Sequence, residues 1–336
     1  KAEPPVVPLS LIRGVSERID AEGDVLCPLN EDEAGSAIAE LVAEQGAEAI
    51  AICFLWSFLK PGHERRVQDM LAERYPSVYV AASHEVAPVL GEYERMVSTV
   101  LTAYLGPRVA GYVQDLEQRL RASGLPRGLL MMTCRGGLTS VADASQHPLL
   151  TLDSGPVGGA IGGKLFAKTY GLDKLICADM GGTSFDVSLV MDGDTPLETV
   201  PVVDQYSFYC PKVAVHSIGA GGGSIVSVDV TGTPRVGPES AGARPGPACY
   251  GRGGTEPTVT DASVVLGYLN PAFFAGGELK LDPDLAPRVA EVVHQGTSWL
   301  AARPGGPQTI IIPRSGFTGF LDLLFSSFQP ESSARD

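Results

Sequence analysis

The stretch ADMGGTSFDVSLV, residues 178–190, decides how the chain is read. Two glycines lie between two aspartates. The strand-forming run KLICADM (174–180) leads in, and TSFDVSLVMDGDT (183–195) leads out to a turn at Asp192, Gly193 and Asp194. The predicted local structure is strand, glycine turn, strand. Such a turn can hold a phosphate, because backbone N–H groups converge on the anion, glycine lets the chain come close, and Thr183 and Ser184 add hydroxyls. Asp179 ends the incoming strand, where it can orient Mg²⁺ through water or polarise an attacking water. Asp186 follows Ser184 by two strand positions, so the two side chains share a face. Asp179 and Asp186 are therefore the candidate catalytic and metal-handling carboxylates, and Gly181, Gly182, Thr183 and Ser184 the candidate phosphate cradle. The competing reading is an ordinary glycine hairpin led by an aspartate. A Walker loop is excluded because GxxxxGK[ST] does not occur. A dinucleotide fingerprint is excluded because the turn opens into a strand, not a helix.

Composition narrows the setting. The 336 residues are enough for two domains, and 44% hydrophobic against 19% charged residues allows a substantial core. No apolar run is long enough for a membrane span and no basic-then-apolar leader opens the chain, so a cytoplasmic protein is expected. A net charge of −14 argues against nucleic acid and anionic lipid as partners. The six cysteines (Cys27, Cys53, Cys134, Cys177, Cys210, Cys249) form no CxxC pair and read as reduced and buried. The five histidines show no HExxH spacing, so a zinc-peptidase reading has no support. Glycine, at 40 residues, clusters at 136–137, 155–163, 181–182, 219–223 and 237–254. Such clusters suggest backbone approaching a ligand, or tight chain crossings. The opening KAEPPVVPLS looks like a mid-chain linker, and an upstream segment is expected.

Around the central stretch the pattern is α/β. EDEAGSAIAELVAEQG (31–46) reads as a helix capped by Asn30, with Glu33 at the capping-box position and Gly46 as the stop. EAIAICFLW (48–56) reads as a buried strand, GHERRVQDMLAERY (62–75) as a second helix and SVYVAAS (77–83) as a second strand, the rhythm of a parallel or mixed sheet. A long helix is predicted from Glu92 to Ser123, ending at Gly124. GLLMMTC (128–134) reads as a strand, and residues 154–171 as a helix with Ser154 as its cap. Residues 232–260 read as an ordered, irregular loop, and DASVVLGYL (261–269) as a short helix capped by Asp261. LDPDLAPRVAEVVHQ (281–295) is a last periodic segment, and the terminal PESSARD reads as frayed.

Further candidates follow from residue type. GAGGGS (219–224) offers Gly219, Gly221, Gly222 and Gly223 to a nucleotide, or serves close packing of strands. His216, just before it, can act as an acid or base, or be structural. PGPACYGRGG (245–254) is a rigid loop that either covers the site or shapes the surface, with Cys249 read as a packed thiol. Glu92, Glu94 and Arg95 of EYER are read as an ion network.

Five blocks in order carry a resemblance: SHEVAPVLGEYERMVSTVLTAYLGP (83–107), LDSGPVGGAIGG (152–163), ADMGGTSFDVSLV (178–190), HSIGAGGGSI (216–225) and VGPESAGARPGPACYGRGGTEPTVTDASVVLGYL (236–269). Over roughly residues 10–290 the chain resembles the hydantoinase A/5-oxoprolinase family, which includes ATP-dependent ketone carboxylase subunits. The resemblance implies an actin-like ATPase fold of two lobes with ribonuclease H-like cores. It implies a partial first lobe over 1–98 and the ATPase domain over 99–336. MgATP would lie between two glycine loops, of which DMGGTSFD is the second, and a loop like the first does not occur upstream of residue 179. TIIIPRSGFTGFLDLLFSSF (309–328) is similar to the strand and glycine-rich helix start that follow a further nucleotide segment in the family, which implies a shortening near 295–308. TCRGG (133–137) departs from the family in carrying Arg135, and Phe185 stands where a hydroxyl residue is usual.

The implied activity is ATP-dependent hydrolysis of a cyclic amide such as hydantoin, N-methylhydantoin or 5-oxoproline through a phosphorylated intermediate. ATP and Mg²⁺ are the implied cofactors, and a hydantoinase B-like second subunit the implied partner. One alternative is the ATP-binding subunit of an acetone-type carboxylase. The other is a folded, partner-binding remnant without catalysis.

Overall fold

The alternation of helix and strand is present throughout a computed structural model that describes residues 5–203, 205–230 and 234–286. The expectations for residues 287–295, for 309–328, for the terminal PESSARD and for a shortening near 295–308 lie outside the described residues. Contacts divide the chain into two compact units, Lys1–Cys177 with Ser188–Val215, and Ala178–Val187 with His216–Asp336.

The first unit opens with an antiparallel pair, β1 (Arg18–Ile19) and β2 (Val25–Cys27). Helix α1 (Glu31–Ala39) begins at Asn30, whose side chain accepts from the Glu33 N–H at 3.1 Å. Three acidic residues fill its first turn, the favourable end for negative charge. The predicted capping box does not form, because Glu33 accepts from the Ser16 N–H at 2.7 Å while the Asn30 N–H goes to the Ser16 carbonyl. The helix widens into a π turn over Glu40–Glu44 and stops at Gly46, φ +71°.

Strand β3 (Ala49–Ile52) is shorter than the predicted 48–56 because the chain turns away after Ile52, with Trp56 at φ 57°. Helix α2 (Gly62–Arg74) and strand β4 (Tyr79–Ala82) follow, and β3 pairs with β4 in parallel from Ala49↔Tyr79 to Ile52↔Ala82. Ala34, Ile38, Ile52, Val67, Met70, Leu71 and Ala82 make the core of this βαβ region. Their burial follows from helical spacing on α1 and α2 against strand residues.

A short helix α3 (Ser83–Val86) leads to α4 (Glu92–Ala122), which runs through Pro107 and ends before Gly124, φ +95°. At Gly106 the helix backs onto the Tyr79 ring so closely that a Cβ there would lie 2.2 Å from a ring carbon. The expected ion network of EYER is not what forms. Arg95 is 1% exposed and donates to the Val89 and Phe54 carbonyls at 3.2 and 2.9 Å, with its guanidinium over the Phe58 ring. Burial puts carbonyls, not Glu92 or Glu94, within its reach.

Strands β5 (Leu130–Met132) and β6 (Leu138–Ser140) form a hairpin, followed by α5 (Val141–Gln146), capped by Ser140. Helix α6 (Ser154–Tyr170) is not capped by Ser154. Asp153, in left-handed conformation, holds the cap position and sends its carboxylate to Lys212 at 3.0 Å instead. Strands β7 (Lys174–Met180) and β8 (Phe185–Met191) pass from one unit into the other. Short antiparallel pairs join β9 (Leu197–Glu198) to β12 (Lys212–Val213), and β10 (Val202–Val203) to β11 (Tyr206–Ser207).

The second unit holds the turn between β7 and β8, then β13 (Val215–Ile218), β14 (Ser224–Val228), β15 (Pro234–Ser240) and α7 (Val259–Val265). A three-stranded sheet has the order β13-β8-β7. Residues 232–260 are thus not wholly irregular, since β15 pairs antiparallel with β14. Thr258, not Asp261, is the N-cap of α7. Asp261 is the N3 residue of a complete capping box, because both its side chain and that of Thr258 find the opposing N–H. Cys249, Ala262, Val264, Leu281 and Ala286 form the core here. Among the described residues no helix is long and apolar enough to cross a membrane.

Candidate functional site

The central turn closes by a hydrogen bond from the Gly181 N–H to the Ser184 carbonyl at 2.9 Å. Neither Gly181 nor Gly182 has a positive φ, so backbone angles barred to other residues are not the reason for these glycines. Packing is not the reason either. A Cβ on Gly182 would meet nothing within 4 Å, and one on Gly181 only the Ser184 carbonyl at 3.7 Å. Among the described residues the N–H groups of Gly182 and Thr183 donate to no backbone carbonyl. Both residues are exposed. The exposed Gly182 thus keeps an N–H with no backbone acceptor among the described residues, which suits an anion.

Asp186 is held on both carboxylate oxygens. Ser184 Oγ donates to Oδ2 at 3.0 Å, and Ser217 Oγ donates to Oδ1 at 2.5 Å. The shared face of Ser184 and Asp186 is therefore observed, and it gives the Ser184 hydroxyl a carboxylate partner. Ser217, 31 positions away, carried no sequence signal beyond being a serine beside a glycine run. Asp179 is exposed near the end of β7. His216 is exposed on β13, and strand alternation points it to the face opposite Ser217. The structure brings Ser184, Asp186 and Ser217 together and does not bring His216 to them.

The second glycine run braces the first. Gly222 N–H donates to the Gly181 carbonyl at 2.9 Å and Gly223 N–H to the Gly182 carbonyl at 2.6 Å. At Gly221 a Cβ would lie 2.5 Å from the Thr183 nitrogen and 2.6 Å from the Ser184 nitrogen, so only glycine fits this approach. The Gly222 carbonyl in turn accepts from Thr260 N–H and Thr260 Oγ1, both at 2.8 Å, and the Gly223 carbonyl accepts from the Ala241 N–H at 2.9 Å. Gly219 stands under Gly237, where a Cβ would fall 1.9 Å from the Gly219 oxygen. Contacts within the chain account for Gly221, Gly222 and Gly223, while a Cβ on Gly219 would meet Pro238 at 3.3 Å.

One carboxylate fixes the next layer. Asp261, fully buried, accepts from the N–H groups of Ala248, Cys249 and Thr258 at 3.2, 2.7 and 2.9 Å and from Thr258 Oγ1 at 2.8 Å. It ties the PGPACYG loop to the start of α7, which carries Thr260. Burial, with Asp261 alongside, pushes the Cys249 thiol up and disfavours its thiolate, which fits the reading of a packed thiol.

Among the described residues no group of three or more His, Cys, Asp or Glu could hold a metal ion, so a closed cage is absent there. Mg²⁺ does not need one, because it takes one or two carboxylates and completes its shell with water and phosphate oxygens. Asp186, fixed by two hydroxyls and left with lone pairs, and the exposed Asp179 fit that manner of binding.

The first unit contains a buried polar cluster that sequence reading missed. Glu64, on α2, accepts from Phe54 N–H and Ser83 Oγ through one oxygen, at 2.8 and 2.6 Å. Through the other it binds the backbone N–H and Nδ1 of His84, at 2.9 and 2.7 Å. Elsewhere in this unit Lys212 is buried between Asp153 and Glu198. Burial alone would lower its pKa, but the two carboxylates hold it above the usual lysine value.

A profile described as hydantoinase/oxoprolinase matches residues 95–297, and one described as the hydantoinase/oxoprolinase N-terminal region matches residues 2–75. The chain is 42% identical over 286 residues to the acetophenone carboxylase gamma subunit of Aromatoleum aromaticum, covering 83% of this chain and 38% of that protein. It is 38% identical over 281 residues to caprolactamase subunit alpha of Pseudomonas jessenii, covering 84% and 40%. A nucleotide-free structure of acetone carboxylase, from work on ATP-dependent acetone carboxylation, superposes with a TM-score of 0.76 at 33% identity, covering 97% of this chain and 45% of that one. The chain spans about two fifths of the length of these curated relatives. With two profiles along its length and identities above one third over most of its residues, the chain belongs to the hydantoinase/oxoprolinase family.

Proposed function

We propose that the turn at Gly181–Ser184 is a phosphate-binding loop for MgATP in an enzyme subunit that activates a cyclic amide for ring opening. The observation that carries this reading is Gly182. Neither its backbone angles nor any neighbour in the chain requires glycine, while the N–H groups of Gly182 and Thr183 have no backbone acceptor among the described residues. In this reading the fold is actin-like, with a partial first lobe over 1–98 and the ATPase domain over 99–336. The turn is then one of two phosphate loops.

Each residue then has a task. The N–H groups of Gly182 and Thr183, with the Thr183 hydroxyl, bind phosphate oxygens and orient the terminal phosphoryl group. Asp186, held by Ser184 and Ser217, would hold Mg²⁺, with Asp179 acting through water; the ion would supply neutralising charge between phosphates. The amide oxygen of a substrate such as hydantoin, N-methylhydantoin or 5-oxoproline takes the terminal phosphoryl group, and ADP leaves. That makes the carbonyl carbon open to water, which Asp179 polarises; the ring C–N bond breaks to give the amine, and a second water releases phosphate from the acyl phosphate. The GAGGG run keeps the loop in shape instead of touching the nucleotide. His216, on the other face of its strand, would serve only through a movement of β13. A cytoplasmic setting, where ATP is abundant, and a hydantoinase B-like second subunit complete the proposal. Support for the second subunit is that the carboxylase and caprolactamase relatives are themselves named as subunits.

A second reading is ATP-dependent carboxylation of a ketone, favoured by the 42% identity to the acetophenone carboxylase gamma subunit. A third is a partner-binding module without catalysis. Calorimetric titration of MgATP into the chain, with Asp179→Asn alongside, tests the shared step. Micromolar binding that the variant weakens supports the phosphate loop, and a folded chain that binds no MgATP rejects it. Phosphate release with a cyclic amide, against release with bicarbonate and a ketone, separates the first two readings. Release with neither, in the presence of the second subunit, supports the third.

A further inference from the structure

Two of the six cysteines meet in the core of the first unit. Cys134 follows β5 and Cys210 precedes β12, 76 positions later, with their sulfurs 3.9 Å apart. Both are buried, in one cluster with Val97, Leu149 and Phe208. Their other polar contacts are long: Cys134 to the Pro211 carbonyl at 3.9 Å and Cys210 to the Leu149 carbonyl at 3.7 Å. Backbone bonds fix the surroundings, from Val213 N–H to the Cys134 carbonyl at 2.8 Å and from Cys134 N–H to the Leu150 carbonyl at 2.7 Å. A covalent S–S bond is about 2.0 Å long, so the sulfurs need to approach by about 2 Å, within reach of side-chain rotation.

The two thiols are not equivalent. The contact with the Cys210 thiol, with Arg135 and Lys212 near, holds the Cys134 thiol below its usual pKa. The Cys134 sulfur and burial push the Cys210 thiol up. An ionisable attacking thiol beside a protonated resolving thiol is the arrangement that thiol–disulfide exchange requires. Cys134 itself is buried, and the exposed Arg135, Gly137 and Leu138 that follow it in the chain are where a small disulfide would enter.

We propose that Cys134 and Cys210 form a modification site, a dithiol that a low-molecular-weight disulfide such as oxidised glutathione converts to an intramolecular disulfide. The Cys134 thiolate attacks one sulfur of the small disulfide and expels a thiolate, giving a mixed disulfide. Cys210, giving up its proton, then attacks the Cys134 sulfur and expels the second thiolate. Two protein thiols are oxidised and one small disulfide is reduced to two thiols. The cross-link ties the turn after β5 to the entry of β12.

The test is to incubate the folded chain with oxidised glutathione, alkylate the remaining thiols, and map the peptides by mass spectrometry. The expected product joins the Cys134 and Cys210 peptides at the mass of their sum less two hydrogens, and reduction reverses it. Cys210→Ser should stop at glutathione attached to Cys134, and Cys134→Ser should leave Cys210 alkylated. Both exchanges are close in size, and circular dichroism confirms that each variant is folded. Recovery of Cys134 and Cys210 as separate alkylated peptides, under conditions in which the exposed Cys27 has reacted, overturns the proposal. So does a disulfide that joins any other pair.

Discussion

Glu64 and His84 are joined twice: one carboxylate oxygen of Glu64 accepts both the backbone N–H and Nδ1 of His84, at 2.9 and 2.7 Å. Its other oxygen reaches Phe54 N–H and Ser83 Oγ. The Phe54 carbonyl accepts from Arg95 at 2.9 Å, so a buried carboxyl group and a buried guanidinium are linked through one residue. This arrangement pins the end of β4 to α2 and to the start of α4.

Removing Glu64 should therefore strand several buried donors at once. Glu64→Ala is expected to cost about 3–5 kcal/mol, in the range for removing one member of a buried charged network. Glu64→Gln should cost less, since it keeps one acceptor but turns an amide N–H₂ toward a donor of His84. Urea unfolding of both variants measures this, and a loss below about 1 kcal/mol for Glu64→Ala contradicts the role given to the cluster.

The two glycine runs should respond differently to substitution. Gly182→Asp places its side chain in open space, so unfolding should be unchanged while MgATP binding is lost, with negative charge set where phosphate is expected. Gly221→Ala forces a methyl against the Thr183 and Ser184 nitrogens and should cost about 1–3 kcal/mol, with binding weakened as a consequence. Thermal unfolding and calorimetry on the pair separate these effects. Wild-type affinity in Gly182→Asp returns the central turn to an ordinary hairpin.

Gly106 offers a sharper packing test. Alanine normally improves a helix interior by about 1 kcal/mol over glycine. Here its Cβ would fall 2.2 Å from the Tyr79 ring, so Gly106→Ala should instead lose about 1–3 kcal/mol. In a Tyr79→Ala background the same change should turn neutral or stabilising. A double-mutant cycle by urea unfolding reads the coupling, and additivity would remove the ring contact as the cause.

Tyr79 should also leave a mark at high pH. Burial pushes its phenol up to about 12 from 10.0, and its hydroxyl donates to the Ser145 and Gln146 carbonyls, which favours the neutral form. The folded pKa lies above the unfolded one, so this stabilisation is complete below pH 10 and is lost as pH rises toward 12. Discounted for partial exposure, it is about 1 kcal/mol. Tyr79→Phe should flatten the fall in stability between pH 10 and 12, and an unchanged slope would contradict this account.

How much of this was legible in the sequence depended on distance along the chain. The β7–turn–β8 unit was readable because strand formers, paired glycines and Asp192-Gly193 are all local signals. Helix α2 was read over 62–75 and observed over Gly62–Arg74, for the same reason. Glu64 was not legible. At the start of a polar helix it reads as a solvated charge, and only the arrival of Ser83 and His84, at the start of α3, gives it buried partners. Ser217 escaped because its contact with Asp186 belongs to tertiary structure. Asp261 was seen as a helix-start residue, but its hold on Ala248 and Cys249 depends on how a glycine- and proline-rich loop folds back. The glycines were conspicuous from the outset, yet sequence could not sort those needed by the chain from those that leave room. That sorting required knowing what a methyl group would touch.

The layering of the two glycine runs has a consequence for amide hydrogen exchange. Gly222 and Gly223 donate inward to the central turn and should keep their hydrogens until that region opens as a unit. Gly182 and Thr183, the outer pair, have no backbone acceptor among the described residues and should trade theirs sooner. The turn thus carries its own isotope clock. A molecule that docks on it should slow the outer pair selectively, and a general tightening of the fold should slow the inner pair as well.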